Sequence, residues 1–203
     1  MFKFKFRLFP LGFITGMFDP EKLLEVIREG CQDGYRILRR EFTFETRRKF
    51  GIFMLPAFGM VFRREEKNQD PEHDYRLATY CTRFFTRTVN LNKLQETLDQ
   101  AADGGFEMYY AMKYPARFLL IFPREAYMFI FRKPYSGEGK QYKYFIQQTP
   151  YRFFTKTIDP QRYENELNES GAKGQIKRTF RDERRVFGIF RQQTVVAVFE
   201  TTS

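Results

Sequence analysis

The residues best suited to binding chemistry are arginines and lysines, and some of them recur at a fixed spacing. The segment RFFTRTVN at 83–90 returns as RFFTKTID at 152–159. Each copy places two cations four residues apart, and in an extended strand both would project on one side. Because arginine suits bidentate phosphate contact, we expect these cations to bind an anionic ligand. They are Arg83 and Arg87 in the first copy and Arg152 and Lys156 in the second.

The N-terminal segment FKFKFRLF alternates aromatic and basic residues, which is typical of a strand with two different faces. The alternation predicts that the aromatic side chains and Leu8 face the core, and that the opposite face is a cationic ribbon. The ribbon consists of Lys3, Lys5 and Arg7, and the aromatic face of Phe2, Phe4 and Phe6.

Three Arg-led segments, RKFGIF, RFLLIF and RVFGIF, occur at corresponding places and add further cations. In pseudo-symmetric units their turns would form a ring or row of guanidinium groups that contact phosphates. Exposed basic residues also blunt strand edges, so solubility is the simpler explanation for any single cluster. The candidate residues of these turns are Arg47, Arg48 and Lys49, then Arg117, and then Arg184 and Arg185.

Residues for catalysis or metal binding are sparse. The single histidine, His73, lies in the polar stretch QDPEHDY, where its acidic neighbours could join it around a metal. A solvated loop explains this stretch more simply. Paired carboxylates are scarce, and no glycine-rich segment has the strand–loop–helix context that a phosphate-binding loop needs. We therefore expect no enzymatic activity, no cofactor and no metal site.

Composition favours a β-rich globular protein with a core of phenylalanine. The 203 residues include 26 Phe and 12 Tyr but no Trp, and phenylalanine favours strands. No apolar run is long enough for a transmembrane helix, and the two cysteines occupy non-equivalent places. These features predict a cytoplasmic protein without membrane contact. The formal net charge of +10 makes polyanions the natural partners.

The repeated octamer belongs to a longer pattern that covers the whole chain. Each copy leads into a residue that starts helices well, Asn90 or Asp159, and Asp19-Pro20 supplies a third such start. Apolar residues at helical spacing follow each start, then a glycine at the same distance, then strand-like segments. The glycines, predicted to end the helices in a left-handed conformation, are Gly34, Gly105 and Gly174.

This periodicity predicts an α+β fold built from three tandem βαββ repeats. Each repeat would have an antiparallel sheet and one helix, and no repeat alone could hide both faces of its sheet. We therefore expect the repeats to pack in a pseudo-threefold or stacked arrangement. Their expected bounds are residues 1–64, 70–133 and 142–203.

The units resemble the small bacterial family called domain of unknown function 4177. Residues 19–24 (DPEKLL) and 159–163 (DPQRY) resemble the helix start of that family, and residues 170–174 (SGAKG) resemble its turn. Residues 61–64 and 195–200 resemble its closing strand. The resemblance implies the architecture of the units, and it implies no reaction and no ligand.

Charge and the lack of catalytic groups together predict a non-enzymatic protein that binds an anionic ligand, in the first place RNA or single-stranded DNA. Phosphates would contact the basic strand faces and the Arg-led turns, and a few Phe or Tyr would stack on bases. Two alternatives stay open. One is a structural or protein–protein interaction module that imitates a trimer, and the other is a small-nucleotide site between repeats. Exposure of the aromatic side chains distinguishes these hypotheses.

Overall fold

Over the residues that this computed structural model describes, the chain forms three three-stranded antiparallel sheets and three α-helices. The predicted α+β class is confirmed at this level, and the arrangement is compatible with three tandem repeats. None of the described helices is long and apolar enough to cross a membrane. The description covers residues 2–11, 19–49, 53–65, 73–83, 88–118, 122–135, 140–186 and 190–202, with the backbone alone at 39–49, 53–56, 117–118, 122–124 and 185.

In every sheet, the last of the three strands in chain order lies in the centre and pairs with the other two. The first sheet contains β1 (Phe2–Pro10), β2 (Arg36–Lys49) and β3 (Phe53–Glu65), with helix α1 (Pro20–Cys31) between β1 and β2. The second contains β4 (His73–Cys81), β5 (Glu107–Phe118) and β6 (Phe122–Pro134), with helix α2 (Leu91–Ala102). The third contains β7 (Tyr142–Pro150), β8 (Gln175–Val186) and β9 (Phe190–Thr202), with helix α3 (Pro160–Gly171).

All three predicted helix starts are confirmed. Each helix follows an aspartate or asparagine whose side-chain oxygen accepts a hydrogen bond from the backbone N–H three residues later, which satisfies one of the unpaired donors of the first turn. The three donor–acceptor distances are 3.4 Å for Lys22 to Asp19, 3.4 Å for Lys93 to Asn90 and 3.2 Å for Arg162 to Asp159.

The predicted glycine conformations are confirmed at two of the three helix ends. Gly34 has φ of +75° and Gly105 has φ of +87°, which L side chains rarely adopt. Gly174 does not have a positive φ, so the prediction there is wrong. Helix α3 ends differently because Ala172 stays in the right-handed helical region and its N–H bonds back to Asn168 and Ser170.

The sheets and helices are layered, because α1 and α2 each pack against the sheet that follows them in the chain. Helix α1 contacts its own sheet through β1 and β2 and the next sheet through β4. Helix α2 lies in the same way between β4 and β7. Each of the two large apolar cores therefore mixes residues of two successive sheets. The first includes Phe9, Leu23, Phe58, Tyr75 and Met128, and the second includes Tyr80, Leu98, Phe129, Tyr144 and Val198.

The prediction for the two faces of β1 is wrong. Phe2, Phe4 and Phe6 are 49%, 60% and 45% exposed, and the residues of β1 and its end that enter the core are Phe9 and Leu11. Alternation shows that a strand has two different faces, but it does not show which face the helix covers. Helix α1 covers the face of β1 that the sequence pattern had assigned to solvent.

Candidate nucleic-acid interface

The repeated octamer forms the connection between the first strand and the helix in the second and third sheets. In both copies the backbone N–H of the arginine donates a hydrogen bond to the backbone carbonyl oxygen of the threonine five residues later. The donor–acceptor distance is 3.0 Å from Arg83 to Thr88 and 2.7 Å from Arg152 to Thr157. The same backbone hydrogen bond therefore spans both copies, just before the residue that caps the helix. Arg87 lies outside the described residues.

Three exposed phenylalanines cluster at the loop of the third sheet. Phe154 is 92% exposed, and its ring centroid lies 5.4 Å from that of the exposed Phe153. Phe153 in turn lies 5.8 Å from Phe190, and both pairs meet edge to face. Phe190 is the first residue of β9, so the cluster joins the loop to the hairpin at the same end of the sheet. We call Phe153, Phe154 and Phe190 the aromatic cluster.

Two of the predicted cations flank the aromatic cluster. Arg152 and Lys156 are both exposed, and Lys156 has φ of +52°, in the left-handed region. The Arg152 guanidinium lies 2.6 Å from the Asp159 carboxylate. This side-chain hydrogen bond lowers the pKa of Asp159, so the residue that caps α3 stays ionised and holds the Arg152 guanidinium at the start of the helix.

The other predicted cations with described side chains are spread over the molecule. Arg83 is exposed at the position that corresponds to Arg152, and Arg184 is half-buried with its Nε 2.8 Å from Gln192 Oε1. Lys3 and Arg7 are exposed on β1. Lys5 is half-buried, because its ammonium lies 4.0 Å from the centre of the Tyr35 ring and 3.5 Å from Asp33. A continuous cationic ribbon on β1 is therefore not formed.

The cations of the Arg-led turns are located by the backbone alone. They lie at the ends of the second strands, where each strand turns into the central one. In the second and third sheets this is also the end at which the octamers begin. The residues concerned, whose side chains are not described, are Arg47, Arg48, Lys49, Arg117 and Arg185.

Grooves open between successive sheets at the opposite end. The first groove, between the first and second sheets, has a volume of about 450 Å³ and is lined by several cationic side chains. Two of its arginines are already held by acids, because Arg28 lies 3.3 Å from Asp74 and Arg132 lies 3.8 Å from Glu107. The first groove is lined by Arg28, Arg36, Arg132, His73, Tyr35 and Tyr135 among others, and a second groove of about 660 Å³ by Asp99, Asp103, Lys133 and Lys143 among others.

A buried polar network lies between the second and third sheets. Lys177, the extra residue of a bulge in β8, places its ammonium 2.7 Å from Glu200 and 2.9 Å from Glu107. The Tyr144 hydroxyl donates to Glu200 and accepts from the Met108 N–H at 2.7 Å. Burial raises the pKa of Tyr144, so its hydroxyl stays protonated and donates. This network holds the two layers in register.

A second buried carboxylate, Asp182, also joins these two layers. One of its oxygens accepts a hydrogen bond from the Val89 N–H at 3.1 Å, and the other has no hydrogen-bond partner among the described residues. Burial raises the pKa of Asp182 because the ionised form loses its hydration.

The raised pKa of Asp182 predicts a pH-dependent loss of stability. Between the ordinary pKa of an aspartate and the raised one, the unfolded chain has lost a proton that the folded chain keeps, so stability falls as pH rises through this window. The free energy of unfolding of the unchanged protein, relative to Asp182→Asn, should therefore decrease as pH rises above the ordinary pKa of an aspartate. Urea denaturation at several pH values measures it, and a constant difference would contradict the assignment.

Neither a cluster of metal ligands nor an activated Cys31 thiol occurs in the described part of the chain. No group of three or more His, Cys, Asp or Glu residues that could hold a metal occurs there. Asp70 and Glu72, which the sequence pattern would add to His73, lie outside the described residues. Burial raises the pKa of the Cys31 thiol to about 11, so this cysteine is a poor nucleophile near neutral pH.

The sequence patterns did not predict that the three phenylalanines of the aromatic cluster lie together. The available signal was the Phe–Phe pair inside a segment that precedes a helix cap, because adjacent side chains of an irregular loop cannot both enter a core. Phe190 carried no such signal, since it closes an apolar phrase that is typical of a strand.

Scans of protein-family profiles, of curated proteins and of solved structures each found no match to this chain.

Proposed function

We propose that this chain is a non-enzymatic protein that binds single-stranded RNA or DNA. The observation that carries the proposal is the aromatic cluster, three exposed phenylalanines, with the exposed Arg152 and Lys156 in the same loop. Exposed rings next to cations suit single strands, because bases stack on the rings while the cations neutralise phosphates. Stacking on one aromatic side chain contributes about 1–3 kcal/mol per base and tolerates any sequence.

Repetition of the loop extends the proposed surface beyond the third sheet. We infer that the three units are tandem βαββ repeats, similar to the domain of unknown function 4177, and that Arg83 contributes as Arg152 does. The net charge of +10 favours an anionic polymer, and the Arg-led turns lie at the same end of the sheets as the loops. A cytoplasmic location fits Cys31 and Cys81, neither of which forms a disulfide.

Phe154→Ala should weaken the binding of single-stranded nucleic acid at least about fivefold, because it removes the most exposed stacking surface. The measurement is fluorescence anisotropy with a labelled RNA or DNA of about 12 nucleotides at low salt. The Kd of the unchanged protein should rise steeply with salt concentration, since binding releases counterions from the phosphates.

Tyr135→Ala is the matched control, because this tyrosine is also exposed but lines the first groove at the other end of the second sheet. It should leave the Kd unchanged. Absence of binding to any RNA or DNA at low salt would overturn the proposal, and so would equal affinity of Phe154→Ala and the unchanged protein.

A second candidate function is small-nucleotide binding in the first groove. The specific observation in its favour is the combination of Arg28, Arg36 and Arg132 with the tyrosines Tyr35 and Tyr135 around one cavity. Arginine contacts phosphate, and tyrosine stacks on a base. This candidate predicts that mononucleotides raise the melting temperature and that Tyr135→Ala abolishes the increase. A shift caused only by polymers would reject it.

A further inference from the structure

We propose that the exposed face of the first sheet binds helix α3 of a second copy of this chain, so that copies associate head to tail. The exposed surface consists of Phe2, Phe4 and Phe6 on β1, and we call it the phenylalanine face. We infer this occupant from two contacts inside the molecule, in each of which a helix packs on the first strand of the next sheet.

The corresponding faces of the second and third sheets are covered. The first strands of the three sheets have equal length, and the third residue of each is Phe4, Tyr75 or Tyr144. Tyr75 is 4% exposed and Tyr144 is 2% exposed, whereas Phe4 is among the most exposed aromatic residues. The central strands show the same burial of these faces. Ile130 lies on the same face of its sheet as Tyr75, and Val198 on the same face as Tyr144, and both are fully buried.

A helix of the preceding unit provides the cover in both cases. Helix α1 packs on β4, where Arg28 of the helix lies 3.3 Å from Asp74 of the strand. Helix α2 packs on β7, where the Asp99 carboxylate accepts a hydrogen bond from the Tyr144 N–H at 3.1 Å. Arg28 and Asp99 occupy the same position of their helices. The first sheet has no preceding unit among the described residues to supply such a helix.

The apolar residues of helix α3 are less buried than those of α1 and α2. Its apolar residues Tyr163 and Leu167 are only half-buried, although Leu94 and Leu98 at the same positions of α2 are fully buried. The third sheet packs over α2. The larger contacts of α3, by comparison, are all with β7 of its own sheet. A sheet placed over α3 would complete the burial that α1 and α2 already have.

Charge favours this pairing over contact between two phenylalanine faces. Helix α3 contains Glu164, Glu166 and Glu169 against one basic residue, Arg162. The phenylalanine face carries Arg63, whose guanidinium lies 4.9 Å from the Phe2 ring, and at its edge one acidic residue, Glu65, which pairs with Phe2. Two such faces in contact would bring their Arg63 guanidinium groups together, whereas α3 offers the exposed carboxylates of Glu164 and Glu169.

The proposed contact is heterologous, because each copy contributes a different surface. Such contacts produce open filaments or, if the rotation between copies closes, rings. The layered order of sheet and helix would continue from α3 of one copy to the first sheet of the next. Association should therefore involve both ends of the molecule and increase with concentration.

The test is sedimentation velocity of the full chain, after nuclease treatment, over a range of concentrations. The unchanged protein should form species larger than its 24.6 kDa monomer. Phe4→Asp and, separately, Asn168→Arg on the exposed face of α3 should each sediment as monomers of unchanged helix and strand content by circular dichroism. Phe154→Asp, a matched charge on an exposed phenylalanine of the aromatic cluster, should associate like the unchanged protein.

Mixing the two monomeric variants identifies the surfaces. Phe4→Asp keeps an intact α3 and Asn168→Arg keeps an intact phenylalanine face, so an equimolar mixture should form a dimer that grows no further. A monomeric unchanged protein at all concentrations would overturn the proposal. Association of Asn168→Arg at the level of the unchanged protein would overturn it too, because the contact would then not involve α3.

Discussion

Lys177→Met should reduce the free energy of unfolding by about 3 kcal/mol, because it leaves the buried Glu200 carboxylate without its cation. Removing one partner of a buried ion pair typically costs ~3–5 kcal/mol, and the lower end applies because Tyr144 still donates to Glu200. Urea denaturation at neutral pH measures the change.

Lys173→Met is the matched control for this prediction, because Lys173 is exposed in the turn after α3. Its effect should stay within about 0.5 kcal/mol, as is usual for surface substitutions. Equal effects of the two variants would mean that the network between the second and third sheets contributes nothing to stability.

Leu98→Ala should cost about 3 kcal/mol of the free energy of unfolding. Leu98 is fully buried between the second and third sheets, so truncation removes its packing and leaves a cavity. Two-state urea curves of the variant and the unchanged protein give the difference.

Leu167→Ala provides the internal comparison, because Leu167 occupies the same position of α3 but is half-buried. Its truncation in the monomer should cost about 1 kcal/mol, since roughly half of the apolar area is lost from burial. A cost at Leu167 equal to that at Leu98 under monomeric conditions would contradict the difference between the covered helices and α3.

The helix starts could be predicted from the sequence because a cap is a local device. Asp19, Asn90 and Asp159 each bond an N–H three residues away, and no distant part of the chain takes part. The end of α3 is also local, yet it was predicted wrongly at Gly174. Glycine permits the left-handed conformation but does not require it, and the backbone here ends the helix without it.

The candidate site could be predicted in part. The octamer repeat identified Arg152 and Lys156, which are exposed, but the expected extended strand is wrong there, because residues 153–155 form a turn and Lys156 has a positive φ. It could not identify Phe190, which joins Phe153 only because β9 begins beside the loop that follows β7. Lys5 was assigned to solvent, but Tyr35 and Asp33, which partly cover it, reach it only through the fold of the first sheet.

By itself the sequence determined where the three helices begin and the net positive charge of the chain. These follow from caps, periodicity and charge, which act between near neighbours or sum over the whole chain. Only the tertiary structure decided which face of each sheet is covered, because this depends on where the helix of the preceding unit lies. The corresponding strands β1, β4 and β7 therefore differ in exposure: the first leaves its phenylalanine face open, whereas Tyr75 of β4 and Tyr144 of β7 are buried under α1 and α2.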